Sequence, residues 1–328
     1  MQIAAAGVRP SSRSYEVIAT GQVDDPTVSG DGQVFAWTRR APSVSEIEMQ
    51  RRGQEPLLVT DDDYADKKPV LNRDGSVCVW ERFDRTGTES WDIYRMGPGD
   101  SEPQVVGAGP GPDWDPQLSD DGNSVVWGRY SPDYRERTAM LWHNGQGETG
   151  MSEPPVLSAL PQIAGDGERA FFMRLAPANS SNQIWMQEAD GYQKPLLYET
   201  DPRSRNNRHA FKTNDHGDWL TWVEKDGAGP ASLFRWHLSD GFFEKVAEAP
   251  IIGSVDLSND GQTMTWTQSE PGTTSQVMLR HDGKTIQVTD DAEGHNANPT
   301  LSDDGHTLVW LWRNPKYLHP NEVRKLDL

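Results

Sequence analysis

Four residues in this chain could do acid–base chemistry if the fold brought them together: Asp115, His209, His295 and Arg129. A carboxylate and two imidazoles within hydrogen-bond reach of one substrate would supply an acid and a base, and the guanidinium would stabilise developing negative charge. His209 and His295 both fall in long polar segments, "ETDPRSRNNRHA" and "DDAEGHNANP", and as a pair they could bind a divalent transition metal. No H-x-H or H-x-x-x-H spacing supports that use. The run Asp61, Asp62, Asp63 could take calcium, but it lacks the alternating spacing of a dedicated calcium loop. No G-x-S-x-G nucleophile turn occurs. Cys78 is the only cysteine, which excludes an intrachain disulfide and a cysteine metal cluster, and within "SVCVW" it reads as a small buried hydrophobe. The expectation is a chain with no resident cofactor.

A second set of charges has a regular place. Arg39, Arg82, Arg129 and Arg174 each stand two residues after an aromatic, so each shares a strand face with Trp37, Trp80, Trp127 or Phe172. Such arginines could clamp carboxylates or sulfates of a ligand with bidentate bonds. Alternatively, their stems pack on the aromatic ring while the guanidinium pairs with a neighbouring Asp.

The elements that position these residues are written in a repeat. "DPTVSGDGQVFAWTRR" from Asp25, "KPVLNRDGSVCVWERF" from Lys68, "DPQLSDDGNSVVWGRY" from Asp115 and "NPTLSDDGHTLVWLWR" from Asn298 are versions of one phrase. Its turn glycine recurs as Gly32, Gly75, Gly122, Gly167, Gly217, Gly261 and Gly305, at intervals of 43 to 50 residues. Five residues after each stands Trp37, Trp80, Trp127, Phe172, Trp222, Trp266 or Trp310. A repeat of this period with several short strands marks a β-propeller blade. In "SDDG" or "NRDG", short polar side chains bond to the turn backbone and Gly takes the left-handed conformation that closes the hairpin. The second strand, as in "TLVWLW", is apolar at nearly every position, which requires burial on both faces, as between two neighbouring blades.

The prediction is an all-β chain forming one seven-bladed propeller of four-stranded blades across residues 1–328. Blades fall roughly at 22–60, 61–107, 108–158, 159–200, 201–249, 250–291 and 292–328. The seventh repeat ends after its third strand, "NEVRKLDL", so "SYEVIATG" at 14–21 should supply the missing outer strand and close the ring. The fourth strand of the third blade is expected in "PPVLSA", and the fifth blade is read with one residue inserted before its turn.

The phrase P-x-L-S-x-D-G-x-x-x-x-W resembles the WD40-like repeat of TolB-type β-propellers, as do the fourth-strand endings Val59-Thr60 and Val288-Thr289. The resemblance covers nearly the whole chain and implies a bacterial propeller. It departs in blade number, seven here, and in lacking a separate α/β domain, so a role in the Tol system does not carry over. Peptidases of the wider group follow their propeller with an α/β-hydrolase domain that this chain does not contain. Seven-bladed relatives also include polysaccharide lyases with a histidine-bound metal, whose histidine pattern is not recognisable here.

Composition narrows the partners. Fifty acidic against 31 basic residues give a formal charge of −19, which repels phosphate backbones and argues against nucleic acid. Much of the acid sits in turns and serves conformation and solubility. No apolar stretch is long enough for a membrane span. The N-terminus lacks the charged-then-apolar order of a signal peptide, so the chain as written reads as cytoplasmic, or as periplasmic or secreted if a leader has been removed.

Long loops should gather on one face, at the mouth of the channel, where function concentrates. Residues just before the inner strands should ring it: Asp25, Lys68, Asp115, Leu160, His209, Ser254 and Asn298. Loop aromatics Trp114, Tyr134 and Tyr317 could anchor a partner there. The reading is a non-catalytic propeller that binds a protein or peptide on this face. The alternative is a carbohydrate-active enzyme, lyase or hydrolase, with a small polar or acidic oligosaccharide at the mouth.

Overall fold

A computed structural model of the chain describes residues 14–41, 44–84, 90–152, 157–174, 182–197, 206–315 and 320–328. These residues form 28 strands in seven four-stranded antiparallel sheets, each sheet one blade. In blades 1 to 6 the strands follow chain order from the axis outward. In blade 7 the inner three are His295–Leu301, Thr307–Arg313 and Asn321–Asp327, and the outer strand is Glu16–Gly21 from the other end of the chain. The expected closure is therefore present, with Gly21 opposite Asn321 and Glu16 opposite Lys325. Among the described residues no helix is long and apolar enough to cross a membrane.

Each second strand is buried on both faces, as its unbroken apolar run requires. Trp37, Trp80, Trp127, Trp266, Trp310 and Phe172 have no exposed surface, and Trp222 has almost none. The core is correspondingly divided into seam clusters: Val309, Leu311 and Val323 of blade 7 pack with Val28, Phe35 and Trp37 of blade 1. Cys78 lies in such a seam beside Trp80 and Leu71, where burial pushes its thiol up to about 12. Native protein should therefore leave this thiol unlabelled by a disulfide reagent at pH 8, and full labelling should appear only in denaturant. Rapid labelling of folded protein would contradict the burial.

The S-x-D-G phrase folds as its chemistry predicts. Ser29 Oγ donates to Asp31 Oδ1 at 2.6 Å and accepts from the Val34 amide at 2.9 Å, while Gly32 sits at φ +68°. In blade 5, where His216 replaces the turn Asp, Asn214 substitutes: its Oδ1 accepts from the amides of Asp218 and Trp219.

Two expectations need correction. The outer strand of blade 3 is Gly147–Gly150, not "PPVLSA"; residues 158–163 of that region are already the inner strand of blade 4. The strand "GETG" is exposed at every position, so it carries no apolar pattern to read. Blade 5 also has no insertion: Ala210, seven residues before Gly217, occupies the place that His209 was expected to fill.

Candidate functional site

All seven inner strands carry a register shift just inside the mouth, a β-bulge that falls one residue earlier in blade 6 than in the other six. In six of them the bulged residue has a left-handed backbone: Asp25, Lys68, Asp115, Leu160, Ala210 and Asn298, at φ from +49° to +59°. Ser254 holds the place in blade 6 without a positive φ. Five of these six residues precede a proline, which cannot donate to the ladder and favours a bulge. The bulge carries a polar side chain at Asp25, Lys68, Asp115 and Asn298 and an apolar one at Leu160 and Ala210. It also aims the amide outward from its own sheet: Lys68 N donates to Thr38 Oγ1 of blade 1, and Asp115 N to Glu81 Oε1 of blade 2.

On blades 2 and 3 these residues build a charge cluster. Lys68 Nζ lies 2.9 Å from Asp115 and 3.2 Å from Glu81, Lys67 Nζ is 3.3 Å from Glu81, and Arg137 closes on Asp115 at 2.9 Å. Burial alone would raise the Asp115 carboxyl, but Lys68 and Arg137 outweigh it and hold the group below the ordinary range. Burial would likewise lower the Lys68 ammonium, yet Glu81 and Asp115 keep it above its usual value. Asp115 is thus a fixed anion rather than a proton donor at neutral pH.

The four arginines behind the core aromatics are engaged in ion pairs or hydrogen bonds. Arg39 pairs with Glu48 and donates to the Thr20 carbonyl; Arg82 pairs with Asp66 at 2.6 Å and Asp62 at 2.7 Å. Arg129 holds Asp113 and Glu148, each at 2.8 Å. Arg174 lies 3.6 Å over the Trp185 ring and donates to Gln193. Burial raises the Asp66 and Asp113 carboxyls above the ordinary range, against the pull of Arg82 and Arg129. Arg82 and Arg129 thus lie over the core aromatic while paired with acids, Arg39 is acid-paired, and Arg174 lies over Phe172 and Trp185 and bonds an amide.

One opening on this face was not visible in the sequence. A cleft of about 900 Å³ lies where blade 7 meets blade 1, lined by Gly21, Gln22, Asp24, Arg40, His295 and Arg313, with Asn321 at its wall. Asp24 is its buried centre, 2.8 Å from Arg40 and 3.3 Å from Arg313, so one carboxylate is shared by a guanidinium from each blade. Both arginines remain about half exposed, at 59% and 48%. Burial pushes the Asp24 carboxyl up, against the pull of Arg40 and Arg313. His295 lines the same cleft, its Nδ1 accepting from the Ser275 amide at 3.4 Å. A second cavity of about 320 Å³ shares Arg40 and adds Asp25, Thr38, Lys67 and Trp91. Lys67 Nζ sits 3.5 Å above the Trp91 ring.

The structure thus puts His295 in the main cleft and Asp25 in the adjoining one, whereas Asp115 belongs to the cluster of blades 2 and 3. Trp114 is half-buried against Tyr130 and Tyr134 rather than exposed. Tyr317 and the side chain of His209 lie outside the described residues. For a metal, two groups of three carboxylates bring oxygens within 4.8 Å of one another among the described residues. In the group Glu46, Asp62 and Asp66, Thr60 donates to Glu46 Oε2, and Arg82 donates to Asp66 Oδ1 and Asp62 Oδ2. In the other, Asp120, Asp215 and Asp303, Arg73 reaches Asp120 at 3.1 Å and Asp303 at 3.9 Å.

That second group closes the opposite end of the channel. It comes from the second position of the tight turns, which reads Gly30, Arg73, Asp120, Gly165, Asp215, Asn259 and Asp303 around the ring. These turns are tied blade to blade, with Asp120 N on Gly165 O, Gly165 N on Asp215 O, Asn259 N on Asp303 O and Asp303 N on Gly30 O. Where Asn opens the turn, its side-chain amide makes the link, Asn72 to Asp120 and Asn214 to Asn259. A Cβ on Gly30 would stand 1.9 Å from Asp303 Oδ2, so only glycine leaves room for this carboxylate. Burial first, then Asp215 and Asp120, raise the Asp303 carboxyl to about 9.

No protein-family model matches the chain, and no curated protein sequence does. Solved structures do match. A prolyl endopeptidase is similar over 90% of this chain and 47% of its own length, at 13% identity and a TM-score of 0.66. TolB from Acinetobacter baumannii is similar over 90% of this chain and 64% of its own, at 14% identity and 0.53. An oligogalacturonate lyase in complex with manganese is similar over 98% of this chain and 97% of its own, at 11% identity and 0.71. The chain therefore spans about half of the endopeptidase and under two thirds of the TolB chain. At these identities the likeness carries the fold, a TolB-like propeller here built with seven blades.

Proposed function

We propose that this propeller is a binding module that holds an acidic segment of a protein or peptide in the cleft between blades 7 and 1. The observation that carries the reading is Asp24 shared by two half-exposed arginines. One buried carboxylate fixes Arg40 and Arg313 in place without consuming their donors, because each guanidinium carries five N–H groups. In a chain with a formal charge of −19 this is a local seat for an anion, and preorganised guanidinium groups lose little freedom on binding one. TolB proteins among the structural neighbours are consistent with a propeller that binds proteins.

A hexaglutamate peptide titrated calorimetrically against wild type and the Arg40→Ala/Arg313→Ala variant tests the reading. Loss of two charge-assisted contacts should weaken binding at least about tenfold, with a shallower salt dependence. Equal affinity of the folded double variant, or no binding by wild type, would refute it.

A catalytic reading has one observation in its favour: His295 and Asp24 line the same cleft, and the Asp24 carboxyl is raised. Under it, the protein would cleave an acidic oligosaccharide, with His295 and Asp24 exchanging protons with substrate. Incubation with oligogalacturonate and separation of products by size decides it; unchanged chain length counts against this reading.

A further inference from the structure

The turn that the chain writes on its tight-turn face is written once more on the opposite face, in blade 3, with one change. Ser131-Pro132-Asp133-Tyr134 joins the second strand, Ser124–Tyr130, to the third, Arg137–His143. Ser131 Oγ donates to Asp133 Oδ1 at 2.6 Å, and the Glu136 amide donates back to Ser131 Oγ at 3.0 Å. Tyr134 N donates to Ser131 O at 2.9 Å, and Ser131 N to Glu136 O at 3.0 Å. Bond for bond this is the Ser29–Val34 turn, in which Gly32 takes φ +68°. Here a tyrosine stands in the glycine's place, at φ +58°.

A tyrosine in that conformation is strained, and a glycine would not be. The ring is not a core element that could compensate, because Tyr134 is 59% exposed. What the strained position does is set the ring beside two others. Tyr134, Tyr130 and Trp114 have centroids 5.0 to 6.0 Å apart and planes inclined by 43° to 61°, which makes a ridged aromatic surface rather than a flat stack. Its rim is rich in hydrogen-bond donors. Arg137 lies 4.9 Å over Tyr130, Lys68 is close by through Asp115, and Arg135 is 85% exposed. Of the carboxylates at the rim, Asp115 is held by two cations, and Asp133 accepts from the Ser131 hydroxyl and the Arg135 amide.

We infer that this surface is a seat for a proline-containing, extended stretch of the bound peptide, a second contact on the long-loop face. The inference rests on the reading of the mouth as a peptide site. Proline fits the hydrogen-bond balance: it has no N–H, so an extended proline segment offers carbonyl acceptors to a donor-rich rim. Its ring packs into the ridges between inclined aromatic side chains, as in other polyproline sites.

A phage-displayed random dodecapeptide library selected on wild type tests this. The expected selection is enriched in prolines at a fixed distance from acidic residues. A selected peptide should bind Tyr134→Gly at least tenfold more weakly and Tyr134→Phe with unchanged affinity, and the Gly variant should melt no lower than wild type. Acidic peptides without proline enrichment, bound equally by Tyr134→Gly but lost by Arg40→Ala/Arg313→Ala, would overturn the proline seat and leave the cleft reading intact. Failure to select any peptide, or binding seen only on a glycan array, would overturn both.

Discussion

Asp303→Asn should make the protein more stable in alkaline buffer, by on the order of 2–3 kcal/mol at pH 9. The Asp303 carboxyl is raised from an ordinary 3.8 to about 9 by burial and by Asp215 and Asp120 across the axis. Between those values the folded protein keeps a proton that the unfolded chain has released. Its contribution is therefore complete below about pH 4 and is lost progressively as pH rises toward 9. Asparagine keeps the shape and hydrogen-bonding capacity of the protonated acid and cannot ionise. Melting curves of the two proteins should nearly coincide at pH 4 and separate at pH 9, with the variant higher by roughly 3–6 °C. Equal separation at both pH values would mean that the charge is not the cause. Arg73 alone does not prevent the shift, because its guanidinium is closer to Asp120 than to Asp303.

Removal of residues 1–21 should have the larger effect. The outer strand Glu16–Gly21 is hydrogen-bonded to Asn321–Asp327, and Ala19 packs in the seam cluster with Val323 and Trp37. Lys325 also loses Glu16, now 2.8 Å away. Without the strand, blade 7 keeps an unpaired edge, and apolar seam surface meets water; a cost of at least about 4 kcal/mol follows, with aggregation. The same deletion removes Gly21 from the lining of the cleft, so ligand binding should fail together with stability. A synthetic peptide of residues 14–22 added to the truncated protein should restore both. A truncated protein that melts like the parent would contradict ring closure by this strand.

The repeat carried most of the fold into the sequence. The turn glycines, the aromatic five residues later and the orphan strand at 14–21 each encode a local or nearest-neighbour contact, and such contacts repeat wherever a blade repeats. The outer strand Gly147–Gly150 was hidden because an exposed edge strand needs no apolar pattern. The ring of mouth residues was legible through X-Pro at the bulges, and it failed at blade 5, where Ala210-Phe211 replaces that dipeptide. The cleft was illegible for a different reason. Asp24, Arg40 and Arg313 meet only because the last blade is joined to the first, and no local pattern marks an ion pair across nearly the whole chain. The axial carboxylates show the same limit. Each Asp reads as an ordinary turn residue, and only closure of the ring brings blades 3, 5 and 7 to one axis. Position two of each turn, compared across the seven copies, was the signal that could have found them.

The most direct test of the account is hydrogen–deuterium exchange of the intact protein with and without a saturating acidic peptide. The account predicts slowed exchange at the mouth ends of blades 7 and 1, around Gly21–Asp24, Arg40 and Arg313, with the Asp-Gly turns of the far face unchanged. Protection confined to those turns, or absent from the seam between blades 7 and 1, would contradict it.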